Sequence, residues 1–261
     1  MLWMLYHNNM QYLKKPNPTV QYIAVMIERM EEFLEMTSGK FASVTELQVM
    51  SNFQQNISWA IPSIPVIKII GRFLGSSNVV EVGAGTGAWA FLLQQICGTN
   101  ITPTDIPSQY NDNMRKKTFC EINPDGTPDI VTRLNPEALF CCWPPYRNSF
   151  AYDCLKNFTG NKFVYIGEPP DGCTADDKFF ELLENEWTCE IGPMPSDLKQ
   201  MLSVEHPKYR CSFSHHIPNG FIEIPNWKGM NDAVYLYVRK NRQISIPKKK
   251  RSYRDILLGN H

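Results

Sequence analysis

The chain has 261 residues, of which 43% are hydrophobic, and 26 basic side chains balance 26 acidic ones. That composition is ordinary for a globular protein with a sizeable core. It excludes a global field that would steer polyanions, and no window holds the ~20 consecutive apolar residues that a membrane-spanning helix needs.

The opening run Met1–His7 lacks a basic flank and is too short for a secretory signal, so the chain reads as intracellular and cytoplasmic. Its eight cysteines then read as reduced thiols that pack as small hydrophobes. The acceptor triplets at Asn56, Asn100 and Asn157 read as chance matches. After an irregular arm of 18 residues, Val20, Ile23, Ile27, Met30 and Leu34 recur at helical spacing, and Gly39 supplies a stop. A second helix is expected from Ser43 to about Ser58. Trp59-Ala60-Ile61-Pro62 comes next, and a third helix runs from Ser63 to Leu74, with Gly75 ending it. Residues 1–75 thus read as an N-terminal helical extension packed on the core domain.

Strands and helices then alternate. The spacing predicts a strand at Val79–Val82, a helix over Gly87–Cys97 and a strand at Ile101–Thr104. Residues 106–128 read as a loop. A weak strand is expected at Asp129–Thr132 and a stronger one at Leu139–Trp143. A helix at Phe150–Phe158, a strand at Lys162–Ile166 and a helix capped by Thr174 with Asp177 come next. Two late strands, Phe221–Ile224 and Val234–Arg239, flank a turn at Gly229-Met230-Asn231-Asp232 and read as an antiparallel pair. Residues 76–243 therefore predict an α/β, Rossmann-like fold: a mostly parallel sheet with an antiparallel edge strand and helices on both faces. Residues 244–261 form a basic tail. Its Lys248, Lys249, Lys250 and Arg251 have the density of a nuclear address or a nucleic-acid contact.

The run Val79-Val80-Glu81-Val82-Gly83-Ala84-Gly85-Thr86-Gly87 ends a buried strand in an acid and a glycine turn. Such a turn lets a ligand approach the backbone, and the helix after it presents unpaired N–H groups. Asp105, at the end of the next strand, is placed to accept both hydroxyls of a ribose. Gly83, Gly85 and Ala88 also satisfy the relaxed dinucleotide fingerprint, which keeps a nicotinamide-dependent oxidoreductase open. Against that reading, a pyrophosphate would find Glu81 repulsive. With its acid, the run resembles the first motif of class I S-adenosylmethionine-dependent methyltransferases. The resemblance implies S-adenosyl-L-methionine as cofactor. Glu81, Gly83, Ala84, Gly85 and Gly87 would lie along its methionine part, and Asp105 would hold its ribose.

Cys142-Trp143-Pro144-Pro145-Tyr146 closes the fourth expected strand, and two adjacent prolines make it rigid. It resembles the Pro-Pro-aromatic motif of amino-group methyltransferases, in which a polar side chain and a proline carbonyl hold the target amine and the aromatic ring stacks on a planar substrate. Here Trp143 stands at the polar position, and an indole donates but does not accept. The resemblance leaves the Pro144 carbonyl and Tyr146 to aim the acceptor. Glu168, after the fifth strand, is a candidate proton acceptor or cation binder. The resemblance to class I methyltransferases also implies that the segment holding Trp59 packs over the cofactor. A zinc site from Cys189, Cys211, His215 and His216 fits no usual spacing, and no metal is expected. The sequence thus predicts a methyltransferase whose acceptor is an amine or a planar, nucleic-acid-like group. The alternative is a catalytically silent module of the same fold.

Overall fold

The computed structural model of the protein describes residues 44–106, 118–189, 211–212 and 221–240. The helix expected before Gly39, the histidines of the zinc alternative and the basic run Lys248–Arg251 lie outside the described residues.

Among the described residues eight strands form one sheet: β1 (Val79–Val82), β2 (Ile101–Thr104), β3 (Ala138–Cys142), β4 (Lys162–Gly167), β5 (Trp187–Cys189), β6 (Cys211–Ser212), β7 (Phe221–Glu223) and β8 (Ala233–Arg239). The first four run parallel in the order β2-β1-β3-β4. β8 lies antiparallel along β4, from Lys162 opposite Val238 to Gly167 opposite Ala233. β7 and then β6 continue the antiparallel half, and β5 also pairs with β8. The fold is Rossmann-like, with an antiparallel part that extends beyond a single edge strand. β5 and β6 are too short to show a period in the sequence.

The helices are α1 (Val44–Asn56), α2 (Ile64–Leu74), α3 (Ala88–Leu92) continued by a π-helical turn over Leu93–Cys97, α4 (Asp129–Leu134), α5 (Phe150–Asn157) and α6 (Asp177–Glu186). They cover both faces. On one face Val66, Ile70 and Leu74 of α2 and the buried side of α3 pack on Val79, Phe140 and Val164. On the other, Val131 of α4, Leu155 of α5 and Phe179 of α6 pack on Val80, Leu139 and Phe163. All four residues of β1 are buried, as in a parallel strand covered on both sides. Alternation puts Glu81 on the α2–α3 face with Val79.

Two local expectations are corrected. Asp129–Thr132 is the start of α4, not a strand: β1 is already flanked by β2 and β3, so no slot remains beside it. Asp129 sits in the first turn of that helix, where the dipole favours an acid. The cap of α6 is Asp176 rather than Thr174: Asp176 Oδ1 accepts from the Phe179 N–H at 3.0 Å. The Thr174 hydroxyl is instead held by the Tyr165 hydroxyl at 2.6 Å and by the Glu168 N–H at 3.1 Å. Asp176→Ala should therefore cost about 1 kcal/mol, seen as a lower urea midpoint with unchanged slope.

Cys97, Cys120, Cys141, Cys142, Cys154, Cys173 and Cys189 form no disulfide, and no group of three metal ligands occurs among the described residues. No described helix is long and apolar enough to cross a membrane.

Candidate active site

The order β2-β1-β3 makes the chain leave β1 and β3 on opposite sides, which opens a crevice beyond their C-terminal ends. The glycine loop borders it from β1, and the Trp-Pro-Pro-Tyr turn borders it from β3. Gly83, Gly85 and Gly87 have φ of 71°, 56° and 73°, a region closed to most L side chains. Gly87 is the N-cap of α3. The loop is pinned by Ala84 N–H to the Thr104 carbonyl (3.0 Å) and by Gly87 N–H to the Ala84 carbonyl (2.8 Å). Asp105, at the end of β2, meets the loop: its Oδ2 accepts from the Gly85 N–H at 2.5 Å.

Glu81, Gly83, Ala84, Gly85, Trp59, Trp89 and Trp143 are among the residues lining a cavity of about 70 Å³ under this loop. Glu81 is 1% exposed, and its Oε2 has no hydrogen-bond partner. Burial, then repulsion from Asp105, pushes its carboxyl up to about 8, against the help of the Ala90 N–H. Burial likewise raises Asp105, although the Gly85 and Ile106 N–H groups oppose it. The cavity thus holds a buried carboxyl with an orphaned oxygen and no Lys or Arg among its described walls. That arrangement fits a cation and disfavours a pyrophosphate.

No family model matches the sequence, and neither does any curated protein. Similar solved structures include a precorrin-6y C5,15-methyltransferase from Geobacter metallireducens GS-15, at 14% identity over 69% of this chain and 88% of that one, with a TM-score of 0.38. MtNAS in complex with MTA and tNA is 12% identical over 90% of this chain and 81% of that one, with a TM-score of 0.42. TrmN from Thermus thermophilus is 9% identical over 74% of this chain and 53% of that one, with a TM-score of 0.41. Likeness of this degree decides nothing about chemistry.

The turn after β3 departs from the arrangement its motif implies. Trp143 has φ 53°, an outlier for a bulky residue. Three contacts hold it there. Its N–H donates to the Ile166 carbonyl at 2.8 Å, and its Nε1–H donates to Asp232 Oδ1 at 2.8 Å. Its ring stacks on Trp59, with centroids 4.9 Å apart and planes at 21°. The Pro144 carbonyl already accepts from the Ala175 N–H at 3.3 Å. Pro145 and Tyr146 are exposed outside the cavity, with the Arg147 guanidinium 5.0 Å from the Tyr146 ring centre.

Glu168 is 4% exposed, so it is not a solvated loop acid. Its Oε2 accepts from the Cys173 N–H and its Oε1 from the Asn231 N–H at 2.9 Å. It clasps the loop after β4 to the turn before β8.

The structure adds Asp232, which reads in the sequence only as part of a turn. It is 2% exposed, and its Oδ2 lacks a partner. Burial raises its carboxyl to about 7, with the Trp143 bond opposing and Glu168 adding to the rise. The Asn226 side chain fixes it on both sides: Oδ1 accepts from the Asp232 N–H at 2.6 Å, and Nδ2 donates to the Asp232 carbonyl at 2.9 Å. An acid directly before an apolar strand was the one sequence signal for it.

Proposed function

We propose that the protein binds S-adenosyl-L-methionine in the crevice beyond β1 and acts as a methyltransferase. The observation that carries this reading is the orphaned Glu81 oxygen, buried at the floor of a cavity roofed by a glycine loop. The amino group of the cofactor supplies the missing donor. The cavity of about 70 Å³ takes the amino-acid end only. The nucleoside end lies along the open rim, where a Cβ on Gly85 would meet nothing within 4 Å and Asp105 is at hand for the ribose. Gly83 and Ala84 line the passage between the two ends.

Bound there, the cofactor supplies a methyl group made electrophilic by its sulfonium. The protein's own part is alignment rather than acid–base work. Tyr146, exposed at the sheet edge, is the ring on which a planar acceptor would stack. The basic run Lys248–Arg251 is the proposed hand-hold should that acceptor be a nucleic acid.

A second reading is cofactor binding without transfer. It is favoured by the state of two groups of that motif and of Glu168, the candidate proton acceptor. Trp143 cannot accept, the Pro144 carbonyl is engaged, and both Glu168 oxygens are engaged.

The test is binding of S-adenosylhomocysteine followed by thermal unfolding, with Asp105→Ala in parallel. At 100 times Kd the ligand should stabilise the wild type by about 2.7 kcal/mol, and the variant should bind at least about tenfold more weakly. Stabilisation by a reduced nicotinamide dinucleotide instead would overturn the reading. Transfer of isotopically labelled methyl to any acceptor then separates enzyme from silent module.

A further inference from the structure

The cavity has an unusual wall. Three tryptophans, Trp59, Trp89 and Trp143, line it together with Glu81. Trp143 is the best defined of them. It adopts a backbone conformation that costs ~1–3 kcal/mol for a residue of its size. Its retention therefore requires that its surroundings fix the ring in one place, and they do. Asp232 takes its N–H, and Trp59 backs its face. An indole that donates to a carboxylate is polarised by it, which makes the ring more attractive to a cation.

Two buried carboxyls, Glu81 and Asp232, each leave one oxygen without a partner. Both fields reach the Cys142 thiol, whose ionisation they oppose after burial. The Glu81 oxygen is accounted for by an ammonium; the indole wall and the Asp232 oxygen are not.

We propose that the Trp143 indole, oriented by Asp232 and backed by Trp59, recognises the sulfonium charge of the cofactor. The site consequently prefers the methyl-loaded cation to the neutral thioether left after transfer. This rests on the reading of the crevice as a cofactor site. The ammonium at Glu81 is common to both molecules, so it cancels from the comparison and the difference isolates the sulfonium. A preference of this kind expels the spent cofactor without a moving lid. Asp232 is then a positioning residue, acting through Trp143.

The experiment is calorimetric titration of S-adenosylmethionine and S-adenosylhomocysteine into wild type, Trp143→Leu, Asp232→Leu and Asp232→Asn. Wild type should bind the sulfonium form about tenfold more tightly than the thioether. Trp143→Leu should weaken sulfonium binding about tenfold more than thioether binding and so bring that ratio to about one, with a cooperative thermal unfolding transition showing that the variant is folded. Asp232→Leu should lose most of the preference. Asp232→Asn keeps an oxygen for the indole N–H and should retain most of it. Equal affinities in the wild type, or a ratio unchanged by Trp143→Leu, overturn the inference and leave the cofactor reading standing. Absence of binding by either molecule overturns both.

Discussion

Glu81→Gln should make the ligand-free protein more stable at alkaline pH and strip it of cofactor affinity. The Glu81 carboxyl lies at about 8 in the folded protein against 4.5 for an exposed glutamate. Between those values the folded state holds a proton that the unfolded state has released. Stability is therefore fullest below 4.5 and falls by about 1.4 kcal/mol per pH unit until the folded carboxyl ionises near 8. Glutamine escapes that loss while keeping an oxygen for the Ala90 N–H. Urea unfolding at about pH 5 and about pH 8 should show an advantage for the variant that grows with pH; an advantage equal at both would contradict the buried, orphaned carboxyl. A bound ammonium reverses the balance. It draws the proton from Glu81, so binding near neutral pH should release a proton, read as a dependence of binding enthalpy on buffer. Asp105 is the other acid facing Glu81, and its charge adds to the effect of the ligand-free state. The variant should bind S-adenosylmethionine at least about a hundredfold more weakly, since loss of a partner to a buried charge costs ~3 kcal/mol or more.

Gly126→Ala should be the most damaging single methyl in the described chain. A Cβ at this position would lie 2.1 Å from the Ile106 nitrogen and 2.3 Å from the Asp105 carbonyl carbon. Those atoms are backbone, so relief requires the end of β2 to move. That segment is otherwise fixed by Asp105 N–H to the Asn123 carbonyl (3.1 Å) and Asn123 N–H to the Pro103 carbonyl (2.9 Å). The expected loss is ~3 kcal/mol, and hence roughly 10 °C in Tm. Because Asp105 moves with the strand end, cofactor affinity should fall alongside. A variant with wild-type Tm and affinity would show that Gly126 does not set the position of Asp105.

The parallel core was legible because strands buried on both faces must be apolar along most of their length, as Val79, Val80 and Val82 and Phe163–Ile166 are. The same rule made Glu81 conspicuous: an acid in such a run has no solvent to face. The glycine loop was legible because positive φ selects glycine, and Gly83, Gly85 and Gly87 occupy those positions. What stayed hidden is tertiary. Asp232 reaches Trp143 across 89 residues, through the pairing of β8 with β4, and Glu168 reaches Asn231 across 63. No local pattern encodes either contact. Asp125-Gly126 reads as a turn, while the reason for the glycine is a close approach to a strand end. Ile130-Val131 reads as a strand because two β-branched residues carry no period; only the filled positions beside β1 make it a helix.

The most direct measurement is a crystal structure with S-adenosylhomocysteine bound. The ligand's ammonium should lie on Glu81 Oε2, its ribose hydroxyls on Asp105 and its amino-acid chain against Gly83–Gly85. A ligand seated elsewhere, or a Glu81 oxygen still without a partner in the complex, would contradict the assignment of this crevice to the cofactor.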